Sequence, residues 1–218
     1  MIKFKKFVFN TFSENTFVVW DEQSGEAMII DPGCGNKSEE EELSSFISKN
    51  NLTIKFMVNT HCHIDHIMGC NFVFDKYKPK YFIPKEDEPL LQNGKTQASL
   101  FGIELGALPE PGEYLTENTV LKLGKVQPIL FFTPGHSPGA YCFYFEEEKI
   151  CFTGDVLFEG SIGRTDLWGA DSKTLLNSIK TKLYTLPDDV KIYPGHGESS
   201  TIGDEKKYNP FIRGQKQY

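Results

Sequence analysis

The stretch Asn59–Cys70, NTHCHIDHIMGC, packs three histidines and an aspartate into the six positions from His61 to His66. The whole chain holds only five histidines, so this clustering asks for an explanation. His61 and His63 are two apart, and at the end of a strand such residues project to the same side. The turn that follows brings Asp65 and His66 round to join them. Imidazole and carboxylate together are the ligands of a zinc-like or iron-like divalent cation. IKFMVNT reads as an apolar strand that delivers the histidines at its C-terminal end, and GCNFVFDKYK reads as a helix followed by the strand KYFIP. That order is a strand, loop and helix crossover with the histidines at its loop.

Outward from this run, Ile2–Phe9, Thr16–Trp20 and Glu26–Asp31 are short segments rich in β-branched and aromatic residues, separated by turn residues at TFSEN and DEQSG. They read as a β-meander. Ser38 followed by Glu41 is a capping-box pattern, and Leu43, Phe46 and Ile47 supply the apolar face of a helix running to about Asn50. Pro89, Pro109, Pro111 and several glycines break the middle, Glu86 to Thr119, into helix fragments and long loops. PILFFTPGH, AYCFYFEEEKICFTGDVLF and VKIYPGHG then read as strands, with a helix after Ser172 marked by Leu175, Leu176, Ile179 and Leu183. The acidic runs Glu39–Glu42 and Glu146–Glu148 read as a solvated helix start and a hairpin turn.

The remaining two histidines occupy matching settings, TPGHS at His136 and YPGHG at His196, each at a strand end beside proline and glycine. Asp155 in CFTGDVLF also follows a strand and a glycine, and is an odd charge at the end of an apolar run. All five histidines are thus placed where a strand gives way to a loop.

At 218 residues, with 39% hydrophobic and 24% charged residues, the chain is read as one soluble domain spanning 1–218. No apolar run is long enough to cross a bilayer. The basic start MIKFKKFVFNTF alternates lysines with apolar residues instead of forming the core of a signal peptide, which points to the cytoplasm. The five cysteines are odd in number and include no CxxC pair, so free thiols are expected and a disulfide framework is not. A formal charge of -7 without a basic cluster argues against nucleic acid and for a small-molecule substrate.

Taken in order, His61, His63, Asp65, His66, His136, Asp155 and His196 resemble the complete ligand set of the metallo-β-lactamase superfamily. FTGDVLFEGSIGRTDLWGAD and PGHGESSTIGDEKKYNPF further resemble the short, single-domain glyoxalase II-like hydrolases. The resemblance implies a four-layer αββα sandwich of mixed α/β class with two divalent metal ions, zinc first and iron or manganese as alternatives. His61, His63 and His136 would hold one metal, Asp65, His66 and His196 the other, and Asp155 would bridge them. Two metals about 3.5–4 Å apart share a hydroxide and polarise a substrate oxygen, so no separate base is needed. Asp65 and Asp155 are accordingly the catalytic carboxylates. The implied activity is thioester hydrolysis of the hydroxyacylglutathione hydrolase kind by bridging hydroxide, with thiolate leaving. A thiol of pKa about 8.5 leaves without a general acid, which suits a chain whose histidines are all assigned to metal.

Asp31, in IIDPG, matches the aspartate of the first superfamily motif and is expected to orient the ligand loops. Arg164 and Asp166, in GRTD, lie just beyond Asp155; the arginine suits a substrate carboxylate, and the pair also suits a loop-holding ion pair. Full-length glyoxalase II adds a C-terminal helical domain with glutathione contacts, whereas 22 residues follow His196 here. GRTD also replaces the lysine and aromatic pattern of those enzymes. Two other activities share the fold: a mononuclear iron persulfide dioxygenase using His61, His136 and Asp155, and a lactone or other ester hydrolase. A closed structural zinc site is disfavoured because such sites are Cys-rich and four-coordinate.

Overall fold

Lysine and apolar residues alternate along Ile2–Phe9 (β1), and Phe7 and Phe9 turn inward while Lys3 and Lys5 stay exposed. That pattern suits the edge strand it forms, since charges there block pairing with another chain. The computed structural model describes residues 1–214, in two units. The first comprises Met1–Leu115 and Val120–Gln127, the second Thr116–Thr119 and the chain from Pro128 onward.

In the first unit β1 is followed by β2 (Glu14–Asp21), β3 (Glu26–Ile30), α1 (Lys37–Lys49), β4 (Thr53–Val58), α2 (Ile64–Ile67), α3 (Cys70–Tyr77), β5 (Lys80–Pro84), α4 (Glu88–Gln92), α5 (Gly94–Ser99) and β6 (Glu113–Leu115). The sheet runs in that sequence order, β1 to β6, antiparallel through β3 and parallel from β3 to β6. Leu43 and Ile47 of α1 and Val73 of α3 pack with Val18, Ile29 and Met57 of the sheet into one apolar cluster. Val19, Met28, Ile30 and Val58, on the other face of the same strands, are equally buried. Burial on both faces makes β2 to β4 read as continuous apolar runs instead of alternation.

The capping residue of α1 is Asn36, whose side chain accepts from Glu39 N–H at 3.1 Å, so Ser38 lies inside the helix and not at its start. Glu39 is the reason for the shift: its carboxylate accepts the N–H groups of Gly35 and Asn10 at 2.7 and 3.0 Å, closing the box around Asn36. In the middle segment the expected helix fragments are α4 and α5, while Glu113–Leu115 adds a parallel strand.

The second unit contains β7 (Ile129–Phe132), β8 (Tyr141–Phe145), β9 (Ile150–Gly154), the small hairpin β10 (Leu157–Phe158) and β11 (Ser161–Ile162), α6 (Ser172–Thr181), β12 (Lys191–Pro194), β13 (Ser200–Thr201) and α7 (Ile202–Tyr208). Its main sheet has the order β13-β12-β9-β8-β7, with β12 and β9 parallel and the other neighbours antiparallel among the described residues. The acidic run Glu146–Glu148 is the turn between β8 and β9, closed by Lys149 N–H on the Glu146 carbonyl. Leu175 and Ile179 of α6 and Ile202 of α7 pack with Cys142, Cys151 and Ile192 of the sheet. Among the described residues no helix is long and apolar enough to cross a membrane.

Candidate metal centre

The histidine run begins where β4 stops. His61 and His63 stand in the loop beyond Val58, and His63 is the extended N-cap residue of α2, with φ -70° and ψ 154°. Asp65 and His66 lie on that single helical turn. The rings of His61 and His63 are 4.8 Å apart and those of His61 and His66 4.1 Å, so the three converge although none is a strand residue. His66 Nε2 lies 3.5 Å from Asp65 Oδ2.

Asp31 follows β3 with φ 52°, a left-handed conformation that aspartate tolerates better than most residues. Its Oδ1 accepts the Thr60 N–H at 2.6 Å, and its Oδ2 accepts the Thr60 hydroxyl at 2.6 Å and lies 3.1 Å from His66 Nδ1. A carboxylate only accepts, so His66 carries its proton on Nδ1 and its lone pair on Nε2. Thr60 has one hydroxyl proton, already given to Asp31, so the 3.0 Å contact to His61 Nδ1 makes that nitrogen a donor as well. His61 also presents Nε2. Asp31, His61 and His66 bring ligand-type atoms within 4.8 Å of one another. On the Asp31 side of that group the carboxylate faces N–H and O–H donors of Thr60 and His66.

Several supports of this loop carry no signal that the sequence reading used. Asn59 is buried and spans the run, donating to the His66 carbonyl at 2.7 Å and accepting from the Tyr81 hydroxyl at 2.9 Å. Cys62, between His61 and His63, has its N–H bound by buried Asp87 at 3.1 Å and its carbonyl by Gln97 at 3.2 Å. Asn10, on the β1–β2 turn, donates to the carbonyls of Gly33 and Asp65 at 2.9 and 3.0 Å. Glu14 is wholly buried, 3.9 Å from His66 Nδ1, and its Oε1 has no hydrogen-bond partner. Burial pushes its carboxyl well above the ordinary value, and His66 draws it partly back. An acid inside the apolar strand ENTFVVW is the one clue to Glu14 that the sequence offers.

In the second unit Asp155 follows β9, and His196 follows β12. The two strand ends are tied by Gly195 N–H on the Gly154 carbonyl at 2.9 Å. Asp155 Oδ2 lies 3.6 Å from both His136 Nε2 and His196 Nε2. Donors held about 2.0–2.2 Å from one tetrahedral ion stand roughly 3.4 Å apart, so these separations suit cation ligation with Asp155 in the middle position. His136 Nδ1 is 2.9 Å from the Arg164 carbonyl, which only accepts, so this imidazole too presents Nε2. Gly135 has φ 133°, and a Cβ there would lie 2.2 Å from Leu175 N, so glycine lets the PGH turn meet the start of α6. A Cβ on Gly163 would lie 1.9 Å from the Asp155 carbonyl and 3.0 Å from the His136 ring.

The guanidinium of Arg164 binds both oxygens of Asp166 at 2.7 Å, and this pairing holds the Asp166 carboxyl at about 2. Both side chains are exposed. Arg164 and Asp166 thus pair with each other, and the Arg164 carbonyl lies against the His136 ring.

In the first unit His61 and His66 have fixed tautomers with Asp65 beside His66, and in the second His136 and His196 flank Asp155, each a cluster of nitrogen and oxygen donors of the kind divalent metals bind. The metallo-β-lactamase superfamily model matches residues 10–196, from Asn10 to the last of these histidines. Hydroxyacylglutathione hydrolase GloC of Haemophilus influenzae is 38% identical over 203 residues, covering 92% of this chain and 93% of that one. Among solved structures, BLEG-1 B3 metallo-β-lactamase superposes with a TM-score of 0.87 at 34% identity, covering 96% of this chain and 99% of that one. TTHA1623 in a di-iron-bound form gives 0.83 at 32% identity, covering 95% and 99%. The match takes in the whole histidine run, both PGH turns and Asp155, and the chain belongs to the metallo-β-lactamase superfamily, with that superfamily's mixed α/β fold.

Proposed function

We propose that this metallo-hydrolase is a thioesterase of the glyoxalase II-like kind, a single catalytic domain that holds two divalent cations and acts in the cytoplasm on a small-molecule thioester. His61, His63 and His136 are assigned to one cation, Asp65, His66 and His196 to the second, and Asp155 to both. Zinc is the first choice, with iron or manganese next; TTHA1623 is a relative with a di-iron form. The observation that carries the reading is the set of fixed tautomers, in which Thr60, Asp31 and the Arg164 carbonyl hold Nδ1 of His61, His66 and His136 as donors. Such bonds orient the ring and raise the basicity of the ligating nitrogen.

When bound, the cations supply a water of pKa about 7 and polarise a carbonyl oxygen. The chain's own part is to hold the donors still. Asn59, Asp87 and Gln97 fix the backbone of the ligand run, and Gly163 leaves room for the His136 ring beside Asp155. With every histidine assigned to metal, the leaving group must depart without an imidazole acid, and a thiolate does so. The name of GloC supports the same class, as a hydrolase of a hydroxyacylglutathione. Arg164 is assigned to a substrate carboxylate, which would take the place of Asp166 in the bidentate fork.

The test is thiol release from a thioester panel that includes S-lactoylglutathione, using zinc-loaded protein. Turnover that disappears in Asp155→Asn is the expected result. Oxygen consumption with glutathione persulfide and no thioester turnover would replace this reading by an iron dioxygenase.

A further inference from the structure

Past His196 the segment GESSTIGDEKKYNPF carries no candidate ligand, yet two of its polar residues are as buried as the core. Glu205 of α7 is 3% exposed, and Asn209, the C-cap residue of that helix, is wholly buried. Three donors converge on the Glu205 carboxylate. The Ser200 hydroxyl meets Oε1 at 2.5 Å, and the Gly160 N–H and Asn209 Nδ2 meet Oε2 at 3.0 and 2.7 Å. Asn209 Nδ2 also donates to the Ser161 carbonyl at 2.9 Å. Burying a carboxylate is costly unless its oxygens are satisfied, and part of that satisfaction comes from Gly160, at the tip of the β10–β11 hairpin.

This hairpin links the donor residues of the second unit. It begins just after Asp155 and ends at Gly163, whose N–H returns to the Val156 carbonyl at 3.3 Å. The Thr153 hydroxyl ties its first strand to β9 through the Leu157 carbonyl at 2.9 Å. On that strand the Phe158 ring meets the His196 ring edge to face, with centroids 6.5 Å apart. The second strand runs on into Arg164, whose carbonyl lies 2.9 Å from His136 Nδ1. One short hairpin thus reaches His136, Asp155 and His196, and its far end is fastened by Glu205 and Asn209.

We infer that Glu205 and Asn209 are positioning residues for the metal centre, a latch that fixes the hairpin and through it the spacing of the His136, Asp155 and His196 donor atoms. This rests on the assignment of those three residues to metal and is independent of which substrate is hydrolysed. Without the latch every ligand is still present. The carbonyl that orients His136 and the backbone that follows Asp155 are then less restrained, and the cations are held less tightly.

The experiment uses the full chain and measures zinc affinity by competition against a chromophoric chelator. The visible absorption of cobalt(II)-loaded protein is read beside it, because its bands report the number and geometry of the donors. Glu205→Gln keeps the size of the side chain and turns an amide donor toward groups that are themselves donors. Zinc is expected to bind this variant about tenfold more weakly, near the lower end of the loss for removing a ligand's own hydrogen-bond partner, and the cobalt bands should shift. Asn209→Ala should do the same. The double variant should lose little more than the larger single loss, since both residues act through one hairpin. Amide exchange in the metal-free variants should quicken across residues 157–163. Ile47→Val, which removes a methyl from the core of the first unit, should lower the melting temperature while keeping the parent's zinc affinity and cobalt spectrum. If Glu205→Gln does not fold, Ser200→Ala removes a single donor, with an expected loss of about two- to fivefold. Latch variants that melt lower yet keep the parent's zinc affinity and cobalt spectrum would overturn the latch and leave the metal centre and the thioesterase standing. A parent protein that binds no zinc would overturn the ligand assignment, and the latch with it.

Discussion

Thr60 gives both of its donors to Asp31, the backbone N–H to one carboxylate oxygen and the hydroxyl to the other, each at 2.6 Å. The consequence reaches His61, because a hydroxyl whose proton is committed can only accept from the imidazole. Thr60→Val keeps the shape and removes that acceptor. Metal affinity is expected to fall about 10- to 100-fold. Competition against a chromophoric chelator measures it; Thr60→Ser, which restores the hydroxyl, should recover most of the loss.

Asp87 acts on the same loop from below. Its carboxylate binds the N–H of Cys62, a buried residue flanked by two assigned ligands. Asp87→Ala leaves that N–H buried and without its partner, at a cost of about 1–3 kcal/mol. Urea unfolding of metal-free protein should show the loss as a lower midpoint at unchanged slope. An unchanged midpoint would mean that the loop holds its shape without Asp87.

The fold was legible where local pattern and tertiary role agree. The meander, the strand that delivers the histidines, the α6 face and the turn at Glu146–Glu148 all follow from alternation, period or turn chemistry. The start of α1 was displaced by two residues because Asn36 and Glu39 form the cap with help from Asn10, a residue distant in sequence. Strand β6 carries little local signal because, among the described residues, it pairs with β5 alone, a parallel pairing across a long intervening segment. The donor-bearing residues of the candidate site announce themselves by type and spacing. Of their supports, Asp87 and Gln97 are polar residues in polar or mixed stretches, Glu14 is an acid opening an apolar strand, and only the three-dimensional fold reveals what each lies against.

Glu14 gives the metal-free protein a pH dependence of defined sign. Its folded carboxyl titrates well above its ordinary value of 4.5, chiefly through burial. A raised folded value means a contribution that is complete below the unfolded pKa and declines as pH rises through the folded one. Glu14→Gln removes the titration but keeps the shape. The difference in melting temperature between variant and parent should therefore move in favour of the variant as pH is raised from about 4.5 toward 8. A difference that stays flat across that range would show that Glu14 ionises in the fold as it does in the unfolded chain.

All five cysteines are buried. Burial pushes the Cys34 and Cys62 thiols up and carries Cys70 to about 12, while Cys151 is raised first by its hydrogen bond with Cys142. Thiolate is the reactive form, so native protein should resist iodoacetamide even at pH 9. Mass spectrometry is expected to find no alkylation before denaturation and five additions after it. Rapid native labelling of Cys34 or Cys62 would show that the ligand loop opens.

The most direct test of the dinuclear hydrolase is metal content by plasma mass spectrometry, measured on parent protein and on His66→Ala purified without added metal or chelator, beside thioester turnover of the same samples. The expected result is about two equivalents of zinc or a mixed pair in the parent, about one in the variant, and most turnover lost with the second metal. About one equivalent of iron in both proteins, or full turnover in His66→Ala, would contradict it.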